Sequence, residues 1–290
     1  MPPIRAFSRL ATLLAGVAAA TLAALPAAAT GESDMPAHTV AGNVQILSPV
    51  TMDSLGRQRT IRLYLPPGYS DGDRRYPVLY MHDGQNLFDN ATAYAREWGV
   101  DETLNRLAAE TGLELIVVGI DHGNERRIHE LVPFDHPEYG PAEGQAYLEF
   151  IVNQLKPLVD ARFRTLPDRL HTAIMGSSLG GLMSHYALLQ HPETFSRAGV
   201  FSPAYWIAPQ FHALARDTAR GDDTRLYLLV GGAEGDEMVQ GYRDMERLLG
   251  QQRPAGSWRA RLVEGAGHNE AFWREEFARA VRWLFAARES

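Results

Sequence analysis

The chain of 290 residues contains no cysteine. That excludes disulfides, cysteine nucleophiles, iron–sulfur centres and thiolate zinc sites, and it leaves burial of apolar side chains to hold the fold together. Positive charge is in deficit, 28 basic against 35 acidic residues, for a formal charge of −7. An acidic surface argues against nucleic acid or anionic lipid as the main partner. Lysine is almost missing: Lys156 is the only one, and arginine takes its place without mechanistic consequence. Past residue 42 there is no repeat, low-complexity tract or interdomain linker, which points to one domain.

The first residues read differently. Arg5 and Arg9 precede an apolar run from Leu10 to Leu25, followed by Pro26-Ala27-Ala28-Ala29. A basic start, a short apolar centre and small residues at a cleavage point describe a secretory signal peptide, and the run is short for a membrane span. The expected organisation is a signal peptide at 1–29, a linker at 30–42 and a domain at 43–290, placed in the periplasm or secreted, with no membrane insertion after cleavage. Loss of the two leader arginines takes the charge from −7 to −9. Asn90-Ala91-Thr92 fits a glycosylation sequon, a match frequent by chance.

Alternating patterns over Val44–Met52 and Thr60–Leu65, separated by Asp53-Ser54-Leu55-Gly56, predict a hairpin. Afterwards the strands become continuously apolar: Pro77–Met81, Leu113–Ile120, Leu170–Met175, Ala198–Phe201, Leu226–Val230 and Trp258–Val263. Helical segments alternate with them: Val100–Glu110, Glu143–Phe163, Leu179–Gln190, Pro209–Arg216, Glu237–Leu249 and Glu270–Ala287. Strands apolar throughout must be covered on both faces, and crossovers through helices make neighbours parallel. The expectation is an α/β fold with about eight strands, mostly parallel, and helices on both faces. Ligands in such sheets bind beyond the carboxyl ends of the strands.

Gly176-Ser177-Ser178-Leu179-Gly180 lies at one of those ends, between an apolar strand and a helix. A bare G-x-S-x-G is common by chance, but on a strand-to-helix turn it raises the central serine hydroxyl above the sheet. Ser178 is the candidate nucleophile. A serine needs a base, and His268 sits in the glycine-rich loop Gly265-Ala266-Gly267 between the last strand and last helix. The orienting acid is expected after the preceding strand, where Glu234 comes first and Asp236 is the alternative. Asp236 and Glu237 equally suit the start of a helix. An oxyanion needs two backbone donors: the amide of Leu179, and that of Gln85 (or Gly84) in the turn after the third strand. His82, Asp83, His122, His129, Asp135 and His136 match no metal-ligand spacing, so no metal is expected. Tyr205 and Trp206 either stack on substrate or belong to the core. Arg126 or Arg127, near Glu130, either meets a substrate carboxylate or catecholate or stays solvated.

Further motifs follow in order: His82-Asp83-Gly84-Gln85-Asn86-Leu87-Phe88, Trp98-Gly99-Val100-Asp101, Val118-Gly119-Ile120-Asp121, Ser202-Pro203-Ala204-Tyr205-Trp206 and Gly267-His268-Asn269-Glu270 with Trp273. Together with the serine pentapeptide they resemble the putative esterase (esterase D-like) family of α/β-hydrolases over essentially the whole chain past the leader. The Asp83-Gly84-Gln85 turn is most similar to the siderophore (enterobactin-type) esterase branch. The resemblance implies hydrolysis of a small-molecule carboxylic ester without a cofactor, and a monomer or weak homo-oligomer is expected. It carries the serine, acid and histidine roles onto Ser178, the Glu234 loop and His268. Feruloyl or acetyl polysaccharide esters, acyl transfer to an alcohol, and a binding module without turnover are the alternatives.

Overall fold

The computed structural model describes residues 37–218 and 223–286. The expected leader at 1–29 lies outside the described residues, as does the linker before residue 37. Eight strands form one sheet: β1 (Asn43–Met52), β2 (Arg57–Leu65), β3 (Val78–His82), β4 (Ile116–Ile120), β5 (Thr172–Ser177), β6 (Arg197–Phe201), β7 (Arg225–Gly231) and β8 (Trp258–Val263). Their order is β1-β2-β4-β3-β5-β6-β7-β8. Contacts β1/β2 and β2/β4 are antiparallel and the rest parallel. The hairpin turns where Met52 O accepts from Leu55 N and Gly56 N, with Gly56 at φ 60, a conformation glycine adopts freely.

Among the described residues eight α-helices connect or flank the strands: α1 (Val100–Thr111), α2 (Arg127–Leu131), α3 (Gly144–Phe150), α4 (Lys156–Arg162), α5 (Leu179–Gln190), α6 (Phe211–Asp217), α7 (Asp236–Gln252) and α8 (Glu270–Phe285). The period of two along each strand divides the interior into two cores. Val78, Tyr80, Val118, Leu226 and Leu228 face the layer holding α3 and α5. Their neighbours Leu79, Met81, Val117, Tyr227 and Leu229 face α1 and α8. Each fully buried aliphatic contributes about 1.5–3 kcal/mol, and strands with no polar face gain that only when both faces are covered. At the edge, β8 stays half-exposed and carries Arg259 and Arg261, charges that oppose further strand pairing.

Several elements depart from the pattern-based expectation: β2 starts at Arg57 rather than Thr60, β4 starts at Ile116 rather than Leu113, and three more depart for local reasons. The segment Glu143–Phe163 is not one regular helix: between α3 and α4 a π-turn spans Ile151–Leu155. Pro157 has no N–H to donate and its ring crowds the carbonyl one turn back, so the ladder widens just ahead of it. Strand β5 begins at Thr172 rather than Leu170, because Asp168 accepts from Leu170 N and starts a 3-10 turn at Arg169–His171. The short helix α2 was not expected at all; five residues carry too little periodicity to register.

The start of the domain is tied to α1. Asp101 is fully buried and its Oδ2 accepts from Ala41 N at 2.6 Å. Burial carries its carboxyl up to about 8 from 3.8. Between those values the folded chain keeps a proton that the unfolded chain releases, so this group's stabilisation is present below pH 4 and is lost as pH rises toward 8. Asp101→Asn should therefore gain in melting temperature relative to wild type as pH goes from 4 to 8. A gap between the two proteins that stays constant across that range would show that Asp101 titrates normally.

Candidate active site

Ser178 joins β5 to α5 at φ 58 and ψ −121, a backbone conformation that strains any residue with a Cβ. The close approach of strand and helix imposes it: a Cβ on Gly176 would lie 2.8 Å from the carbonyl carbon of Gly180. The turn is clamped from β6 as well. Ser178 N donates to Phe201 O at 3.0 Å, and Ala204 N donates to Ser178 O at 3.1 Å. The half-buried Ser178 side chain lines an open cavity of about 500 Å³, shared with His268, Trp273, Asp83, Arg127 and Tyr94.

His268 donates through Nδ1 to Glu234 Oε2 at 2.8 Å, which leaves Nε2 as the nitrogen without a partner among the described residues. The Glu234 side chain is fully buried. Its other oxygen, Oε1, accepts from Gly231 N at 2.7 Å and from Ser202 Oγ at 2.6 Å, so the carboxylate has three donors in place of water. The two loops that carry this pair are laced together: Gly232 N donates to Val263 O and Ala233 N to Ala266 O. Asp236, the alternative acid, opens α7 on the exposed surface and has no contact with His268. Ser178 Oγ makes no hydrogen bond among the described residues, so the serine–histidine contact is not closed in this structure. Such contacts commonly tighten only when substrate is bound.

The turn after β3 completes one wall. Asp83 stands at φ 56 and Gly84–Asn86 form a 3-10 turn against β4, where a Cβ on Gly84 would come within 2.7 Å of the Gly119 carbonyl carbon. Leu179 opens α5 and Gln85 lies in the 3-10 turn, so the N–H of each has no acceptor within its own helix. Arg127 grips Asp83 from two nitrogens, Nε to Oδ1 at 2.6 Å and Nη2 to Oδ2 at 2.8 Å. Burial alone would raise the Asp83 carboxyl, but the guanidinium outweighs it and holds the group below its usual range. Beneath the turn, His82 Nδ1 bonds Tyr147 OH at 2.9 Å, and burial lowers this imidazole to about 4.

The remaining sequence candidates separate. Tyr205 is corrected from cavity to core: it is 1% exposed, its hydroxyl bonds His185 Nδ1 at 2.7 Å, and its ring stacks on Phe211. Tyr205 is the first residue of a 3-10 turn, Tyr205–Ile207, that directs its ring inward. Its neighbour Trp206 points outward, 46% exposed, and does not line the serine cavity. Arg126 pairs with Glu143, and Glu130 is buried between Arg57 and Arg59. Among the described residues no three His, Asp or Glu side chains are arranged to hold a metal ion. Sequence reading passed over Ser202 and gave Trp273 no role, although both fall inside quoted motifs, and it passed over Tyr94, which is 89% exposed at the cavity rim.

A family model described as "Putative esterase" matches residues 52–284. The chain is 27% identical over 248 residues to the uncharacterized protein YbbA of Bacillus subtilis, covering 80% of this chain and 94% of that one. It is 24% identical over 249 residues to an endo-1,4-beta-xylanase/feruloyl esterase of Xylanibacter ruminicola, covering 84% of this chain and 31% of the other. With the siderophore triacetylfusarinine C esterase of Aspergillus fumigatus it shares 31% identity over 141 residues, 45% of this chain and 44% of that one. Thus it spans less than half the length of the latter two. Among solved structures, an IroE-like serine hydrolase from Shewanella oneidensis superposes with a TM-score of 0.72 at 20% identity, covering 85% and 82% of the two chains, a likeness of α/β fold.

Replacing Arg127 by Met would strand the Asp83 carboxylate in a buried place without its counter-charge. The expected loss is about 3 kcal/mol in urea unfolding at neutral pH. Asp83→Asn combined with Arg127→Met should recover most of it. A neutral single variant would contradict the pairing.

Proposed function

Since this chain belongs to the esterase family whose model it matches, and is by that family a carboxylic-ester hydrolase of the branch that includes siderophore esterases, we propose that it works as a serine enzyme through an acyl-enzyme. The observation that carries this reading is the His268–Glu234 hydrogen bond at 2.8 Å on the rim of the cavity into which the strained Ser178 projects. In the proposed reaction Ser178 Oγ attacks the acyl carbonyl while His268 Nε2 takes its proton. Glu234 keeps the imidazole in the tautomer that can do so and stabilises the imidazolium. The N–H groups of Leu179 and Gln85 donate to the oxyanion. His268 returns the proton to the departing alcohol, and a water deprotonated by the same ring then releases the acid.

The cavity's chemistry also bears on the substrate. Arg127 uses Nε and Nη2 on Asp83, so Nη1 remains to meet a carboxylate or catecholate oxygen. With the Asp83-Gly84-Gln85 turn and the A. fumigatus relative, this favours a siderophore ester, met in the periplasm or outside the cell if residues 1–29 direct export. The feruloyl esterase relative supports a second reading, an aromatic ester of a polysaccharide.

Comparing kcat/KM across a catecholate trilactone, feruloyl and acetyl sugars and short p-nitrophenyl esters separates these substrates; preference for the trilactone is expected, and uniformly feeble rates would count against every one. On the best ester, Ser178→Ala should abolish turnover with the fold intact. Glu234→Gln should lower kcat by roughly 10²- to 10⁴-fold, while Asp236→Asn stays within about twofold of wild type. Equal losses at positions 234 and 236 would contradict the assignment of the acid.

A further inference from the structure

Ser202 follows β6 directly, and its backbone lies in the left-handed region at φ 42 although Pro203 comes next. Two steric preferences are set aside there. A residue with a Cβ disfavours positive φ, and a residue before proline is steered to extended backbone. Glycine would be free of the first penalty. The chain nonetheless places a serine at this point and buries it completely. A strained residue held in place by its surroundings invites the question of what its side chain is doing.

The hydroxyl has two partners. Trp273 Nε1 donates to Ser202 Oγ at 2.9 Å, and Ser202 Oγ donates to Glu234 Oε1 at 2.6 Å. The direction is set by chemistry: an indole N–H can only donate, so the serine oxygen accepts from it and turns its own proton to the carboxylate. Trp273 also touches the other end of the pair. Its ring meets the His268 imidazole edge to face, centroids 5.0 Å apart at 88°, and it packs against Trp98 at 5.7 Å. The backbone of Ser202 is pinned too, its N–H donating to Leu229 O at 2.7 Å.

We propose that Ser202 is a positioning residue, acting with Trp273: its hydroxyl fixes Glu234 Oε1 so that Oε2 is presented to His268 Nδ1. This rests on the reading of Ser178, His268 and Glu234 as the catalytic residues. Without the hydroxyl, Oε1 keeps only the Gly231 N–H and the carboxylate can swing away from the imidazole. The strained φ at 202 is what brings the hydroxyl between the indole and the carboxylate.

The rival role is structural, with the hydroxyl serving only to satisfy a buried indole N–H. Two substitutions separate these roles. Ser202→Ala removes the hydroxyl and keeps the strain, whereas Ser202→Gly removes both, so the glycine variant should melt higher than the alanine variant. Positioning predicts that both lose kcat similarly, by roughly 10- to 100-fold with KM within about twofold, when assayed well below either melting temperature. If folded variants keep kcat within about twofold of wild type, or if the loss follows their difference in stability, the proposal is overturned. Trp273→Phe, which keeps a ring and removes the donor, serves if neither variant folds; an unchanged kcat there overturns the proposal as well. Wild type and Ser178→Ala are run beside them: if the wild type turns over no ester, the serine-esterase reading falls and takes this proposal with it, whereas an active wild type with a dead Ser178→Ala isolates failure at Ser202.

Discussion

The back-to-back packing of β5 and α5 governs the rest of the site. A Cβ on Gly176 would collide with the Gly180 backbone, and the chain reverses there with Ser178 held at positive φ. The strain is tolerable because the surroundings over-determine it: α5 is buried along nearly its whole length, and β6 holds the turn through Phe201 O and Ala204 N. A glycine at 178 would relax the backbone and delete the hydroxyl that the turn displays.

The same strand end then serves a second purpose. Beyond Phe201 the chain enters another left-handed residue, Ser202, which contacts the carboxylate of Glu234 rather than the cavity. An ionised carboxylate with no solvent exposure is costly unless donors replace its water, and Gly231 N, Ser202 Oγ and His268 Nδ1 do so. Three loops, after β6, β7 and β8, thus converge on one buried charge. Asp83 and Arg127 form an ion pair among the residues that line the same cavity.

Much of the fold was legible because short apolar runs rich in β-branched residues and alternating with longer helical segments read as doubly covered strands, and because Leu179–Gln190 and Trp258–Val263 fall where their patterns end. The contact between His268 and a residue of the Glu234 loop was legible as well, since strand ends in a parallel sheet share one edge. Sequence order already put Glu234 ahead of Asp236, and the coordinates separate the two: the turn from Gly231 to Glu234 folds the Glu234 carboxylate back onto Gly231 N, whereas Asp236 opens α7. Tyr205 and Trp206 show the limit differently, as adjacent aromatics whose burial differs from complete to half because a single 3-10 turn rotates one in and one out. Ser202 was invisible for a related reason: a lone serine before proline carries no periodicity, and its significance lies in φ and in partners 32 and 71 residues away.

If Ser178 is the activated nucleophile, a fluorophosphonate should attach to it covalently and stoichiometrically, independent of which ester the protein prefers. Mass spectrometry of the intact, folded protein and of its peptides reads this out. One adduct per chain, on the peptide containing Ser178 and lost on His268→Ala, is the expected result. A folded protein that takes no label, or takes it on a peptide without Ser178, would contradict a serine nucleophile at this turn.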